Sequence, residues 1–300
     1  IPDAATLGAY FQSALGGMLA ANPVWKGVVG TVPDLLAAPY FQFIAATVAK
    51  PTEIIPMAND ATLAQLQGLA AGFNQLNTVL ASYGYITAQE AAMRTLSWSV
   101  GANSILVEDE SLTDLGPLWD ALVGLGVLDA GTRAALNPFR MARQAFDGEI
   151  LPLSAQVVIG VPIHPSMPTA VYGVTVPLPD QYFLTGGELV EFETARKTYN
   201  AAVAGAVAAL GGGRVAVADF DGYFESLANT SPFTNNSVVV TYDFAPPTGM
   251  WSTDGIHPNA RGYALVANKF IAAINDVFGA SVPSAMVGSY TGAALPVTVN

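Results

Sequence analysis

Two stretches of this chain run in the same order, a helix followed by a short buried strand that ends in an acid, and that order constrains the fold most. Across residues 4–22 the apolar positions Leu7, Tyr10, Phe11, Leu15, Met18 and Leu19 recur at helical spacing. The apolar run from Val24 to Val32 follows and is closed by Pro33-Asp34, as a buried strand running into a loop would be. A second helix opens at Thr185, with Glu188 placed three residues on as in a capping box, and runs to about Leu210. It stops at Gly211-Gly212-Gly213, and Val215 to Asp219 forms the second buried strand. Strands without polar alternation are covered on both faces, which is the condition of a parallel α/β sheet. Each helix–strand pair is half of a βαβ unit, and the strand expected before the first helix is missing from the sequence.

The rest of the chain is less regular. Residues 33–62 read as irregular structure over the strand ends, 61–97 as helix broken near Gly84, and Ile105 to Val107 as a strand running into Glu108, Asp109 and Glu110. Helical pattern resumes over 113–146. Proline and β-branched residues over 150–185 predict short strands or an arm, and 228–237 reads as loop. A last helix is expected from about Ala260 to Phe278, with a tail after Pro283 that has no period and lies on the surface.

The chain is 52% hydrophobic and 11% charged, against roughly 25% charged in typical soluble domains. This predicts large buried or interfacial area. No apolar run reaches the roughly 20 residues of a membrane span, so no transmembrane span is expected. The net charge is −12 and the 11 basic residues are scattered singly, which argues against nucleic-acid binding. The absence of cysteine excludes disulfides, thiolate zinc sites and thiol nucleophiles. Few lysines beside abundant Ala, Gly, Thr and Asn give the composition of an exported bacterial protein, placed outside the cell, at its surface or in the periplasm. The start, Ile1-Pro2-Asp3, lacks a signal-peptide pattern. The expectation is a processed chain or one that begins partway through a longer precursor.

Residues 251–264 read Trp-Ser-Thr-Asp-Gly-Ile-His-Pro-Asn-Ala-Arg-Gly-Tyr-Ala, ahead of the last helix. Asp254 stands three residues before His257, one of two histidines, and Gly255 and Pro258 favour a tight turn that folds the carboxylate back on the ring. A serine hydrolase needs an imidazole to take the nucleophile's proton and a carboxylate to hold that ring. Taken alone, the same residues are also those of a turn in which Asp caps the helix and His packs on Pro258.

The run Asp254-Gly-Ile-His257-Pro-Asn-Ala-Arg-Gly-Tyr263 resembles the last conserved block of the SGNH (GDSL-type) esterases and lipases. In that family the block supplies the Asp and His of a Ser-His-Asp triad. The resemblance implies that Asp254 orients the ring and His257 is the general base, with no cofactor and no metal. Gly27-Val-Val-Gly-Thr-Val-Pro33-Asp34 looks like the family's fourth strand and exit loop, and Arg214-Val-Ala-Val-Ala-Asp219 like its fifth. Larger, exported bacterial members carry a long insertion between those strands and a tail like Pro283 to Pro296. The implied fold is therefore one flavodoxin-like α/β domain over 1–300, incomplete at its N-terminal strands, with an insertion at about 35–185 and an extended tail at 283–300.

The family's Gly-Asp-Ser-Leu block, which holds the nucleophile, is absent, as are the Gly of the second block and the Gly-x-Asn-Asp of the third. Gly101-Ala-Asn103 follows the fourth strand and has no Asp after its Asn, so it is not the third block. There is no G-x-S-x-G elbow, and Ser13, Ser97, Ser99 and Ser252 lack a nucleophile context. The expected function is the C-terminal portion of an exported ester hydrolase whose serine lies outside this chain, acting on a small ester or lipid. The alternative is a non-catalytic structural or surface-assembly protein on the same scaffold. In either case the strand at 24–32 would present an apolar edge, so its expected partner is the missing segment or another subunit, in an oligomer or two-piece assembly.

Other candidates take simpler readings. His164, in Pro162-Ile-His164-Pro-Ser-Met-Pro168, reads as a surface histidine. Glu108, Asp109 and Glu110 lack calcium-loop spacing and read as a solvated strand exit. Asp219 and Asp221 read as loop acids. Tyr40, Phe41, Phe43 and Met57 suit either a wall for an acyl chain or an oligomerisation surface.

Overall fold

A computed structural model of the chain describes residues 3–43 and 50–292. The fold is mixed α/β. Its helices are α1 (Ala4–Ala21), α2 (Pro39–Phe43), α3 (Ala61–Ser82), α4 (Ala88–Met93), α5 (Gly116–Gly124), α6 (Ala130–Leu136), α7 (Gly186–Leu210), α8 (Phe220–Thr230) and α9 (Ala260–Phe278). Its strands are β1 (Gly27–Gly30), β2 (Ile55–Met57), β3 (Gly101–Asn103), β4 (Leu106–Glu108), β5 (Ala142–Gln144), β6 (Val215–Ala218), β7 (Phe233–Asn235) and β8 (Val238–Val240). The chain divides into two compact units, one of Ile1–Gln42 with Val190–Asn300 and one of Phe43–Leu189. The second covers most of the stretch read as an insertion.

The first unit is built on a parallel pair. β1 lies beside β6 in the register Gly27↔Val215 to Gly30↔Ala218. Side chains of a strand alternate between faces, and the two faces have different partners. Val29 and Val215 pack with Leu15 and Leu19 of α1 and Ala206 of α7. Val28 and Ala218 pack with Phe220 and Phe224 of α8 and Leu265 and Phe270 of α9. The sheet is thus a middle layer between two helix layers, as its apolar strands require. α1 starts where Asp3 accepts the Thr6 amide at 2.8 Å, and it approaches α7 so closely that a Cβ on Gly8 would stand 2.5 Å from that of Ala202.

α7 also fixes the chain leaving β1. The Asn200 side chain accepts from the Val32 amide at 2.8 Å and donates to the Val32 carbonyl at 2.8 Å. Arg196 donates to the same carbonyl at 3.1 Å while paired with Glu193 at 2.7 Å and Asp221 at 2.6 Å. The flank of β1 away from β6 has no strand on it among the described residues. All four β1 residues keep intermediate exposure, whereas Val215, Ala216 and Ala218 of β6 are buried.

The second unit has a core around α3, Trp119 and the 105–107 strand. Here the local structure departs from the periodicity. The 61–97 helix does break at Gly84, whose φ is +76°, but after α4 the chain runs extended. Asn74 holds it there by donating to the Leu96 carbonyl and accepting the Leu96 amide, both at 2.8 Å. The helical reading of 113–146 ends at Phe139 because Ala142–Gln144 pairs antiparallel with β4, a long-range contact that local spacing does not register. Over 150–185 the structure has isolated bridges and 3-10 turns in place of strands.

In the first unit, 228–237 is not simply loop. α8 extends to Thr230, and β7 and β8 form a hairpin whose turn residues Asn236 and Ser237 both have positive φ. The tail is also less free than its sequence suggests: Val287 is buried and Asn268 exchanges hydrogen bonds with Ala285. Residues 293–300, and 44–49 of the insertion, lie outside the described residues.

Asp109 is not solvated. It is buried with Arg143 and Glu149, the guanidinium reaching Asp109 Oδ2 at 2.5 Å and Glu149 Oε1 at 2.5 Å. Burial pushes the Asp109 carboxyl up, but hydrogen bonds from Ser111 and Arg143 outweigh it and hold it below its ordinary value. A depressed acid contributes stability that is present above its unfolded pKa and lost as pH falls through the folded one. Arg143→Met is expected to destabilise the protein by about 3–5 kcal/mol near neutral pH, since two buried carboxylates would keep their other hydrogen bonds but lose their counter-charge. The loss, read from thermal melts, should shrink as pH drops below 4. A melt unchanged at neutral pH would mean that the triad is not stabilising.

Candidate active site

The Asp254 turn lies against the segment that follows β1. The Tyr40 amide donates to the Gly255 carbonyl at 3.0 Å. Trp251 packs with Ala38, Ala218 and Phe224, its ring centroid 5.6 Å from that of Phe224. The turn therefore sits beyond the carboxyl ends of β1 and β6, the usual place for a site in an open parallel sheet.

The backbone of the turn is built from its own residues. Trp251 and Pro258 form an antiparallel bridge, closed by Ser252 donating to the His257 carbonyl at 2.8 Å. Gly255 has φ +68°, and any Cβ there would stand 2.8 Å from the Tyr40 nitrogen, so both conformation and space require glycine. Asn259 caps α9 by accepting the Gly262 amide at 3.1 Å, and its side-chain nitrogen donates to the Gly249 and Trp251 carbonyls at 2.8 and 3.0 Å. Arg261 donates to the Pro247 carbonyl at 2.9 Å. A Cβ on Gly262 would fall 2.1 Å from the Met250 carbonyl oxygen. Four residues of the motif thus serve to place the other two.

Asp254 and His257 meet at 2.8 Å, between Oδ2 and Nδ1. The other carboxylate oxygen, Oδ1, accepts from the Ser252 hydroxyl at 2.6 Å and from the Ile256 and His257 amides, each at 2.9 Å. The Ser252 hydroxyl first, then the His257 amide and ring, hold the Asp254 carboxyl far below its ordinary value. It stays ionised across the working range of pH. An ionised carboxylate has no proton to give, so the hydrogen of this contact lies on Nδ1 and a neutral ring keeps its lone pair on Nε2. The His257 side chain is 69% exposed and that of Asp254 49%. The pair can accept a proton from any hydroxyl brought within hydrogen-bond reach of Nε2.

The other sequence candidates are placed elsewhere or spent on structure. Asp219 caps α8 by accepting the Gly222 amide at 3.1 Å, and Asp221 belongs to Arg196; neither is simply a loop acid. His164 is exposed and its Nδ1 contacts Ser166 Oγ at 2.7 Å. Tyr40 and Phe41 fall in one unit, Phe43 and Met57 in the other. Among the described residues no group of His, Cys, Asp and Glu could hold a metal. The role of Ser252 is new. A hydroxyl two residues before an acid that opens a tight turn was the available signal.

No protein-family model matches the chain, and no curated protein and no solved structure matches it. The reading of the site rests on its geometry and its motif.

Ser252→Ala leaves Oδ1 with backbone donors only and frees the carboxylate to rotate. The expected outcome, in long-range 15N–1H spectra of His257, is a mixture of ring tautomers where the parent chain shows the Nδ1–H form. An unchanged tautomer would show that the two amides suffice to fix the carboxylate.

Proposed function

We propose that this chain carries the acid–base half of an exported serine ester hydrolase of the SGNH type, built on a flavodoxin-like sheet that another polypeptide segment completes. The observation that carries the reading is the 2.8 Å contact between Asp254 and His257 in a turn at the carboxyl ends of a parallel strand pair. The nucleophilic serine comes from a segment outside these residues, arriving beside β1 on its unpaired flank, either as part of a longer chain or as a companion subunit. Once there, its hydroxyl gives its proton to His257 Nε2 as its oxygen attacks the ester carbonyl. The imidazolium, held by Asp254, returns that proton to the leaving alcohol. Water then enters by the same route and releases the acid. The exposure of the pair supports this two-piece reading, because a charged dyad gains catalytic strength only where water is excluded and the local dielectric falls.

A second reading is a structural or surface-assembly protein that keeps the scaffold without the chemistry. What favours it is that the hydroxyl in the network, that of Ser252, is bonded to the carboxylate.

The test is fluorophosphonate labelling and ester hydrolysis of the natural material, with its intact mass. The proposal expects a serine outside the 300 residues to label. His257→Ala should abolish turnover, and Asp254→Asn should lower kcat by about 10⁴-fold, the loss seen when a triad aspartate is amidated. Turnover that survives His257→Ala ends the proposal. A self-assembled, unlabelled chain establishes the structural reading instead.

A further inference from the structure

The second unit holds a half-open cavity of about 380 Å³ between α3, α6 and the Phe139 turn. We propose that this cavity is a binding site for a neutral, single-chain alkyl ligand, such as a medium-chain alcohol or alkyl ester.

The cavity is made by the backbone of α3. Gly68 and Gly72 stand one helical turn apart, on one face, and a Cβ built on either meets nothing within 4 Å. Glycine inside a helix is less favourable than alanine, and here neither a positive φ nor a close neighbour requires it. What the two glycines leave is an opening. Its lining includes Phe73 and Leu96, both buried, with Leu136 and Phe139.

The lining specifies the chemistry of the occupant. It contains no charged side chain, and its one hydroxyl, on Thr132, is already bonded to Asp129 Oδ2 at 2.5 Å. Arg133, the cation next in sequence, is held by Asp120 at 2.7 Å and by Asn137 at 3.1 Å. No group is left to receive a carboxylate, and the net charge of −12 opposes one further. Apolar cavities of about 150 Å³ take benzene. At 380 Å³ this one suits a ligand somewhat more than twice that size, on the order of ten carbons. A half-open cavity lined by aromatic and leucine side chains fits an alkyl chain whose neutral head stays in water.

This inference is independent of the Asp254–His257 proposal, since binding needs no nucleophile and is measured without turnover. The experiment is displacement of N-phenyl-1-naphthylamine, a neutral fluorophore, from the whole chain by 1-decanol and by decanoate. 1-Decanol should displace it, and decanoate should bind at least tenfold more weakly at neutral pH. Gly72→Ala and Gly72→Leu should weaken 1-decanol binding in a graded series, by at least tenfold for leucine. Both substitutions suit a helix better than glycine, so the melting temperature should hold or rise. Three results would overturn the proposal. One is no displacement by 1-decanol, and a second is equal affinity in the leucine variant. The third is sedimentation showing a dimer that Gly72→Leu dissociates, which would give the cavity to a second copy of the chain.

Discussion

β1 and β6 lie side by side, and most of the first unit follows from that pairing. The chain brings together residues 27 and 215, so the long helix α7 must return antiparallel across the sheet before β6 begins. The helices on both faces are then fixed by which side chain of each strand points where, Val29 toward α1 and α7, Val28 toward α8 and α9. The Asn200 and Arg196 contacts to Val32 add a second constraint at the strand's end. They settle the direction in which residues 33–42 leave the sheet, and through Tyr40 they settle where the Asp254 turn can rest.

The two strands are asymmetric. β6 is buried and bracketed by helices, while β1 is half-exposed along its whole length with four apolar or glycine residues. A parallel strand of this composition is ordinarily covered on both sides. An uncovered edge also presents unpaired amides and carbonyls that invite a further strand. If the proposed function holds, the site and the edge call for the same thing: the dyad would need a hydroxyl and shelter from water, and β1 would take a neighbour. In the proposed function one added segment would meet both needs. The alkyl cavity, by contrast, is built entirely within the second unit and asks nothing of the first.

What the sequence made legible was set by locality. α1, α7 with its Thr185–Glu188 box, the glycine stop, β6 and α9 all lie where expected, because each is specified by neighbours within a turn or two. The Asp254–His257 contact was equally local, two groups three residues apart in a turn that glycine permits. The misses came where distant partners decide. Ala142–Gln144 has helical spacing around it, yet it forms a strand because β4 offers a ladder. Asp109 looks like a solvated acid until Arg143 and Glu149 are brought beside it. Asp219 and Asp221 resemble loop acids because the cap and the Arg196 pair exist only in the folded chain.

The two oxygens of Asp254 separate folding from chemistry. Everything the turn requires of that side chain is met by Oδ1, which takes the Ile256 and His257 amides and the Ser252 hydroxyl. Asparagine would offer the same acceptor and is as well suited to such a turn. A carboxylate is needed only for its second oxygen, and that oxygen bonds to the His257 ring. The ring is mostly exposed, so the contact adds little to packing. Gly255 and Gly262 meanwhile leave no room for a Cβ, and Asn259 and Arg261 tie the turn to the Gly249 and Pro247 carbonyls. A turn that merely capped α9 would need neither the second oxygen nor the imidazole. Their pairing is the arrangement that the proposed proton transfer would use.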